Sequence, residues 1–380
     1  MMRNKKIIPF NLPFLTSNEL KYINDAISRK KLSGDGFYTM KSSFFLEKII
    51  TSNKVLLTHS CTAALEIIAH LINIQKGDEI IMPSYTFVST ANAFVLRGGI
   101  PRFIDIRPDT LNIDENLIEQ AINKKTKAIV VIHYAGISSE MSKILKIAKK
   151  HNLFVIEDNA QGILSSYKNK PTGSFGDFSS LSFHETKNII SGEGGALSIN
   201  NKKFIEKAEI IREKGTNRTS FLKGIVDKYT WYDIGSSYLP SEIISAFLWA
   251  QLQKINSITQ QRLRLWEYYK ENLFELENKG IISLPKIPNQ CKHNGHCFYI
   301  ILKNNNRDKI LKMLKKEKII CASHYVPLHS SPGGRKFCKI GSRMIVTEKI
   351  SQNIIRLPIW VGLKRSDQER ITDNIKKILI

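Results

Sequence analysis

From residue 55 onward, short apolar runs alternate with stretches of helical period. The runs cover residues 55–57, 80–82, 103–106, 128–132 and 153–156. Between them, apolar positions recur every three or four residues over 62–74, 87–97, 114–123 and 139–151, which predicts four helices. Strands that read as continuous apolar runs and are joined by helices predict a largely parallel sheet with helices on both faces, an α/β fold. Upstream, Thr16-Ser17-Asn18-Glu19 has capping-box spacing and predicts a helix carrying Leu20, Ile23 and Ile27 on one face, broken at Leu32-Ser33-Gly34-Asp35-Gly36.

After Leu252 the pattern changes. A long charged helix is predicted over 257–279, then an apolar run at 299–302, a helix at 307–317, a second run at 319–326 and a last helix at 367–378. That is a compact α+β unit, so the chain divides into a large domain, residues 1–255, and a smaller one, 256–380. Neither internal repeats nor low-complexity segments occur.

Chemistry gathers where apolar runs end. Thr58-His59-Ser60-Cys61-Thr62-Ala63 takes a strand into a helix start, whose free N–H groups and dipole suit a phosphate, although a plain Ser/Thr cap reads the same way. Pro83-Ser84-Tyr85-Thr86-Phe87 offers an aromatic for stacking on a flat ring, or a core phenylalanine. Val155-Ile156-Glu157-Asp158-Asn159-Ala160-Gln161 delivers Asp158 to the carboxyl edge of the sheet, where open α/β folds place ligands. An aspartate leaving so apolar a strand needs a partner, and a cationic ring nitrogen would serve. Ser182-Phe183-His184-Glu185-Thr186-Lys187-Asn188, followed by Gly192-Glu193-Gly194-Gly195, sets Lys187 between two strands. Desolvation there would lower its pKa and free the amine to attack a carbonyl.

Composition narrows the setting. Five cysteines without C-x-x-C spacing fit reduced thiols in a cytoplasm better than disulfides or a metal site. No apolar stretch approaches the roughly 20 residues of a membrane span, and the basic start Met1-Met2-Arg3-Asn4-Lys5-Lys6 lacks a cleavage site, so no membrane or signal segment is expected. The net charge of +23, from 57 basic and 34 acidic residues, is spread along the chain beside Ile and Asn. A compositional drift toward Lys, Ile and Asn produces that number; anionic substrates rank second, and nucleic acid third for want of a basic tract.

The order of phosphate turn, aromatic, aspartate and lysine resembles the pyridoxal-phosphate enzymes of fold type I, and within them the DegT/DnrJ/EryC1/StrS sugar-nucleotide aminotransferases. The resemblance covers nearly the whole chain. It is carried by Ile80-Ile81-Met82-Pro83-Ser84-Tyr85-Thr86-Phe87-Val88-Ser89-Thr90-Ala91-Asn92-Ala93, the 182–188 stretch, Arg212-Glu213-Lys214-Gly215-Thr216-Asn217-Arg218 and Asp233-Ile234-Gly235-Ser236-Ser237-Tyr238-Leu239. It implies that Lys187 carries pyridoxal 5'-phosphate covalently and then moves the proton during transfer, and that Asp158 keeps the ring nitrogen protonated. Thr62 and Ala63 would hold the phosphate through backbone N–H groups, Ser182 would add a hydroxyl, Phe87 would stack on the ring, and Gln161 would contact its oxygen.

Two motifs depart from the wider family: its Ser-Gly-Thr turn reads Ser60-Cys61-Thr62, and its Gly-x-Asn-x-Arg reads Gly235-Ser236-Ser237-Tyr238-Leu239. In the family that asparagine reaches the neighbouring subunit's phosphate, a role that would pass to Ser237. Both departures look like the branch acting on dTDP-linked 4-keto-6-deoxy sugars. The resemblance therefore implies L-glutamate and a dTDP-4-keto-6-deoxyhexose as substrates, and a cytoplasmic homodimer with sites at the interface.

A fold-related DNA-binding regulator would carry an added winged-helix domain, and the sheet pattern already begins at Val55. A dehydratase relative would replace the lysine. His184 could touch cofactor or cap a strand; His133, His324 and His329 read as packing groups; Gly34-Asp35-Gly36 lines a sugar site or turns the chain.

Overall fold

A computed structural model describes residues 6–222, 224–303 and 306–380; the basic stretch of residues 1–5 lies outside them. Seven strands form the centre: β1 (Lys54–Thr58), β2 (Glu79–Pro83), β3 (Ile100–Ile104), β4 (Thr126–Ile132), β5 (Phe154–Asp158), β6 (Phe178–Ser182) and β7 (Gly195–Ile199). They lie in the order β1-β7-β6-β5-β4-β2-β3, with the short strand Lys339–Ile340 completing an eight-stranded sheet at the β3 edge. The pairings of β2 with β3 and β4, β4 with β5, and β5 with β6 are parallel. β7 runs against both neighbours: the 183–194 connection forms no helix and returns β6 as a hairpin.

Alternation along each strand feeds opposite faces. Ile80 and Met82 pack with the helix α3 (Cys61–Leu71), whereas Ile81 joins Met141 and Ile144 on the other side. Val55, Leu57 and Leu181 pack with Tyr38 and Leu46 of α2 (Phe37–Ile50) and with helix Glu242–Gln253. The expected helix over 114–123 shrinks to Ile118–Ala121. Asp114 there accepts from the Asn116 N–H and Thr126 Oγ1 from the Asn123 N–H, local bonds that compete with helix hydrogen bonds.

The first helix, α1 (Glu19–Ser28), forms, but its buried face holds Glu19 and Ala26, while Leu20 and Ile27 are exposed. Glu19 completes half of the capping box, accepting from the Thr16 N–H at 2.7 Å, and is drawn inward by Gln251 Nε2 at 2.8 Å.

Helix Ile255–Asn278 opens the C-terminal unit, whose sheet sets Phe298–Leu302 between Ile282–Ser283 and Ile354–Leu357, all antiparallel. Trp266, Tyr269, Phe298, Ile300 and Ile371 form its core, and Ile8 from the start of the chain packs among them. Ile8 donates to Lys318 O and accepts from the Ile320 N–H, so the run at 319–326 makes only single bridges, to Ile8 and to Arg356, instead of a strand. The two units are pinned by Asp105, which follows β3: its carboxylate accepts from the N–H groups of Val346 and Thr347 at the start of helix Ile345–Asn353.

Candidate active site

The carboxyl ends of β1, β5 and β6 meet the amino end of β7 at one edge, where Gly195 pairs with both Thr58 and Ser182, and Asp158 pairs with Ser180. Above that edge lies a cavity of about 610 Å³. Thr62, Phe87, Asp158, Gln161, Ser182 and Lys187 all line it.

Lys187 sits in the hairpin loop, held where its N–H donates to His184 O at 2.9 Å and the Phe183 N–H donates to Gly194 O at 2.9 Å. The residue keeps some accessible surface because the cavity is open, yet the atoms packed around the amine desolvate it. Burial pushes the Lys187 pKa down, against smaller opposing pulls from Cys61 and Asp158. This is the condition for a free amine on a lysine.

Asp158 is nearly buried and held at both oxygens. Its Oδ2 accepts from the Thr90 hydroxyl at 2.7 Å and its Oδ1 from the Ala160 N–H at 3.2 Å. Behind it, Glu157 accepts from three backbone N–H groups, those of Gly173, Phe175 and Gly176, and from His133. His133 Nδ1 accepts from the Ser139 N–H, so Nε2 carries the proton donated to Glu157; His133 is a packing group, as its sequence context suggested.

Ser60 caps α3, with its Oγ accepting from the Ala63 N–H at 3.1 Å. A phosphate at this turn would compete with that cap for Ala63. Thr62 points its hydroxyl to Ser89 Oγ at 2.8 Å. Gly195 lets β7 pass this turn closely: a Cβ there would lie 2.3 Å from Ser60 C and 2.4 Å from Cys61 N. Phe87, 58% exposed, has a face free for a ring. Gln161 is already committed, its Oε1 accepting from the Ala135 N–H and its Nε2 donating to Tyr325 Oη, both at 2.7 Å.

Ser237 is not brought to this cavity; it is exposed and makes a single bridge to Glu213. Gly34-Asp35-Gly36 also stays outside it. Asp35 accepts at both carboxylate oxygens from Arg212 Nη2, and Gly36 lies against Glu242, which accepts from the N–H groups of Gly36, Tyr38 and Thr39 at the start of α2. The motif turns the chain. His329 bridges the two units through Ser84 Oγ at 2.7 Å.

The C-terminal unit closes the far wall with Arg262, His296, Cys297, His324, Tyr325 and Arg356, and the chain start adds Phe10 and Asn11. Sequence reasoning named none of these as site residues and read His324 as packing. One signal was available: Arg356 interrupts the apolar strand Ile354–Leu357. Burial holds His296 and His324 well below the usual imidazole range, so both are neutral at pH 7. Burial pushes the Cys61 and Cys297 thiols up, to about 12 and about 11, so neither is a thiolate. Among the described residues no cluster of three or more His, Cys, Asp or Glu side chains could hold a metal, and no helix is long and apolar enough to cross a membrane.

The donor set fits pyridoxal phosphate on its own geometry: a desolvated amine for the aldehyde, a fixed carboxylate for the ring nitrogen, an open aromatic face, and a helix N-terminus for the phosphate.

The sequence pattern of the DegT/DnrJ/EryC1/StrS aminotransferase family matches residues 14–376. GDP-perosamine synthase of Escherichia coli O157:H7 is 29% identical over 98% of this chain and 98% of its own. The dTDP-4-dehydro-2,3,6-trideoxy-D-glucose 4-aminotransferase of Saccharopolyspora spinosa is 25% identical over 98% of this chain and 96% of its own. Among solved structures, the putative sugar aminotransferase Spr1654 of Streptococcus pneumoniae, in its pyridoxamine phosphate form, superposes with a TM-score of 0.90 at 24% identity, covering 98% of each chain.

Proposed function

The chain belongs to the DegT/DnrJ/EryC1/StrS aminotransferase family, whose cofactor is pyridoxal phosphate, and on that premise we propose that it moves the amino group of L-glutamate to the C4 ketone of dTDP-4-dehydro-6-deoxy-D-glucose. The product would be dTDP-4-amino-4,6-dideoxy-D-galactose, used in surface polysaccharide of the enterobacterial common antigen type. The observation that carries the chemistry is a desolvated Lys187 amine in one cavity with a twice-bonded Asp158. The choice of sugar rests on the Ser60-Cys61-Thr62 and Gly235-Ser236-Ser237 departures, because relatives are named for GDP-, dTDP- and UDP-linked sugars alike.

When bound, the cofactor would supply an electron sink for the carbon that gains or loses nitrogen. The protein's residues do the rest. Lys187 would hold the cofactor covalently and, once the incoming donor amine has displaced it, its freed amine would carry the proton away from the carbon bearing the donor's nitrogen and give it back on the cofactor side. In the second half the same amine would move the proton in the opposite sense toward the sugar carbon that gains nitrogen. Asp158, its carboxylate fixed by the bonds from Thr90 and Ala160, would keep a proton on the ring nitrogen. Phe87 would cover the ring, while Thr62, Ala63 and Ser182 would hold the phosphate, Ala63 by giving up its bond to Ser60. Gln161, tied to Tyr325, would turn its remaining N–H to the ring oxygen.

A homodimer is supported by an exposed apolar stripe at helical spacing on α2, Phe37, Met40 and Phe44. Ser237 would then serve the neighbouring site. Such a stripe on a monomer would be an aggregation liability.

Incubation with pyridoxal phosphate, L-glutamate and the dTDP-4-keto-6-deoxy sugar, followed by NMR of the product, tests the proposal. An axial C4 amine supports it; an equatorial one changes the sugar but keeps the chemistry. Lys187→Ala should abolish turnover, and near-normal activity in that variant would sink the mechanism.

A further inference from the structure

The cavity is lined by three basic side chains, Lys187, Arg262 and Arg356, and two acidic ones, Asp158 and Glu193. Asp158 faces Thr90 and Ala160, and Glu193 sits at the mouth beside His184. Among the described residues neither arginine has a carboxylate partner. Arg262, almost fully buried, spends Nε on Gly295 O at 3.1 Å and Nη2 on His296 O at 2.6 Å. Burial lowers its pKa only to about 10, so it stays charged at pH 7.

Arg356 is arranged differently. Its Nε donates to Ser323 O at 3.0 Å, and its guanidinium carbon lies 4.8 Å from the centre of the Phe10 ring. Those contacts fix the plane of the group. Its two terminal nitrogens make no hydrogen bond to any described residue, and they form the end that matches a carboxylate two-pronged. Ser323 O and Phe10 thus present an oriented, unoccupied fork to the cavity.

We infer that Arg356 grips a carboxylate of the amino donor, with Arg262, which lines the same cavity, adding positive charge. The inference rests on the aminotransferase reading and deepens it. The field of Arg356 reaches Lys187, where it is among the causes that lower the amine's pKa, and it also reaches His296 and His324. A cation within reach of the reacting amine is close to the donor's carboxylate, which is bonded to the very carbon that gives up nitrogen. The diphosphate of a nucleotide sugar hangs from C1, across the ring from C4, and would sit farther out. With both imidazoles neutral, the arginines are the charges a donor anion would meet.

The test compares the wild-type holoenzyme with Arg356→Gln, Arg356→Lys and Arg262→Gln. Calorimetric titration with glutarate, an unreactive dicarboxylate, and with dTDP reads each anion separately. Arg356→Gln should weaken glutarate roughly 10- to 100-fold and leave dTDP within about twofold. Arg356→Lys, which keeps charge without the fork, should recover only part of the loss. Conversion of the bound cofactor by L-glutamate and by L-alanine, followed by absorbance, locates the carboxylate: loss with both donors assigns Arg356 to the α-carboxylate, and loss with glutamate alone assigns it to the side chain. Unchanged glutarate binding, or an equal loss of dTDP, overturns the inference. If glutamate fails to convert even the wild-type enzyme, the donor in the aminotransferase reading is wrong, a separate result from this one. Should Arg356→Gln fold poorly, the Lys variant and Arg262→Gln carry the comparison.

Discussion

Replacing Gly195 with alanine tests whether the glycine run after Lys187 exists to let two backbones approach. The added Cβ would lie 2.3 to 2.5 Å from Ser60 C, Cys61 N and Ser60 O, where ordinary contact begins near 3.4 Å. All three atoms are backbone, so no side chain can swing aside; the turn leading into α3 must move by about 1 Å. Overpacking of this kind costs about 1–3 kcal/mol. The larger effect should fall on the cofactor, because the displaced turn is the proposed phosphate site, and a shift of that size can cost ~100-fold in a positioned reaction. Gly192→Ala is the control: its φ is +79° and nothing lies within 4 Å, so it should lose only about 1–2 kcal/mol of stability, all of it to backbone strain. Pyridoxal phosphate affinity and melting temperature, with and without cofactor, would be measured for both. Gly195→Ala should lose cofactor affinity out of proportion to stability, and Gly192→Ala should not. Equal cofactor affinities in the two variants would refute the reasoning.

Lys187→Met should raise the melting temperature of the cofactor-free protein near pH 7. Burial lowers the folded pKa of Lys187, so the unfolded chain binds more protons between that value and the ordinary ~10.4, and stability rises with pH across the window. The variant's advantage should therefore shrink as pH climbs toward 10; an advantage independent of pH would contradict desolvation as its cause. Asp105→Ala leaves two amides at the start of helix Ile345–Asn353 without their acceptor and should cost about 2–5 kcal/mol by denaturant titration. Asp35→Asn breaks the pair with nearly buried Arg212 and should cost about 3 kcal/mol, yet leave KM for the sugar unchanged; a raised KM would restore the sugar-site reading of Gly34-Asp35-Gly36.

The half of the site that sequence revealed belongs to strand ends. Asp158 ends an apolar strand and Lys187 lies in the loop after the next one, so the register of those strands brings the two to one edge. The other half, Arg262, His296, His324, Tyr325 and Arg356, arrives by contacts between chain segments far apart in sequence. Its local patterns look like an ordinary charged helix or a strand. Only Arg356, a charge inside an apolar run, breaks its local rule. The helix forecast over 114–123 failed because propensity cannot foresee Asp114, Asn116 and Asn123 bonding locally. The stripe of α1 holds only at Ile23, which packs against the core; Gln251, more than 230 residues away, bonds Glu19 on the buried side, and Leu20 and Ile27 stay outside.

The net charge of +23 yields to the same separation of near from far. Surface lysines such as Lys143 and Lys150 bond to Asn116 and Glu119 on neighbouring elements, away from the cavity. At ~0.15 M salt the screening length is about 8 Å, so such charges cannot hold an anion in the site; at ~0.01 M it is about 30 Å and they could steer one toward it. The cavity arginines, shielded from ions by protein, act at either strength. If the charge is compositional, kcat/KM for the nucleotide sugar should stay nearly flat between these conditions. If steering matters, it should fall with salt while kcat holds. The spread of lysines along the whole chain favours the flat profile, and a fall of tenfold or more would show that the surface charge is used.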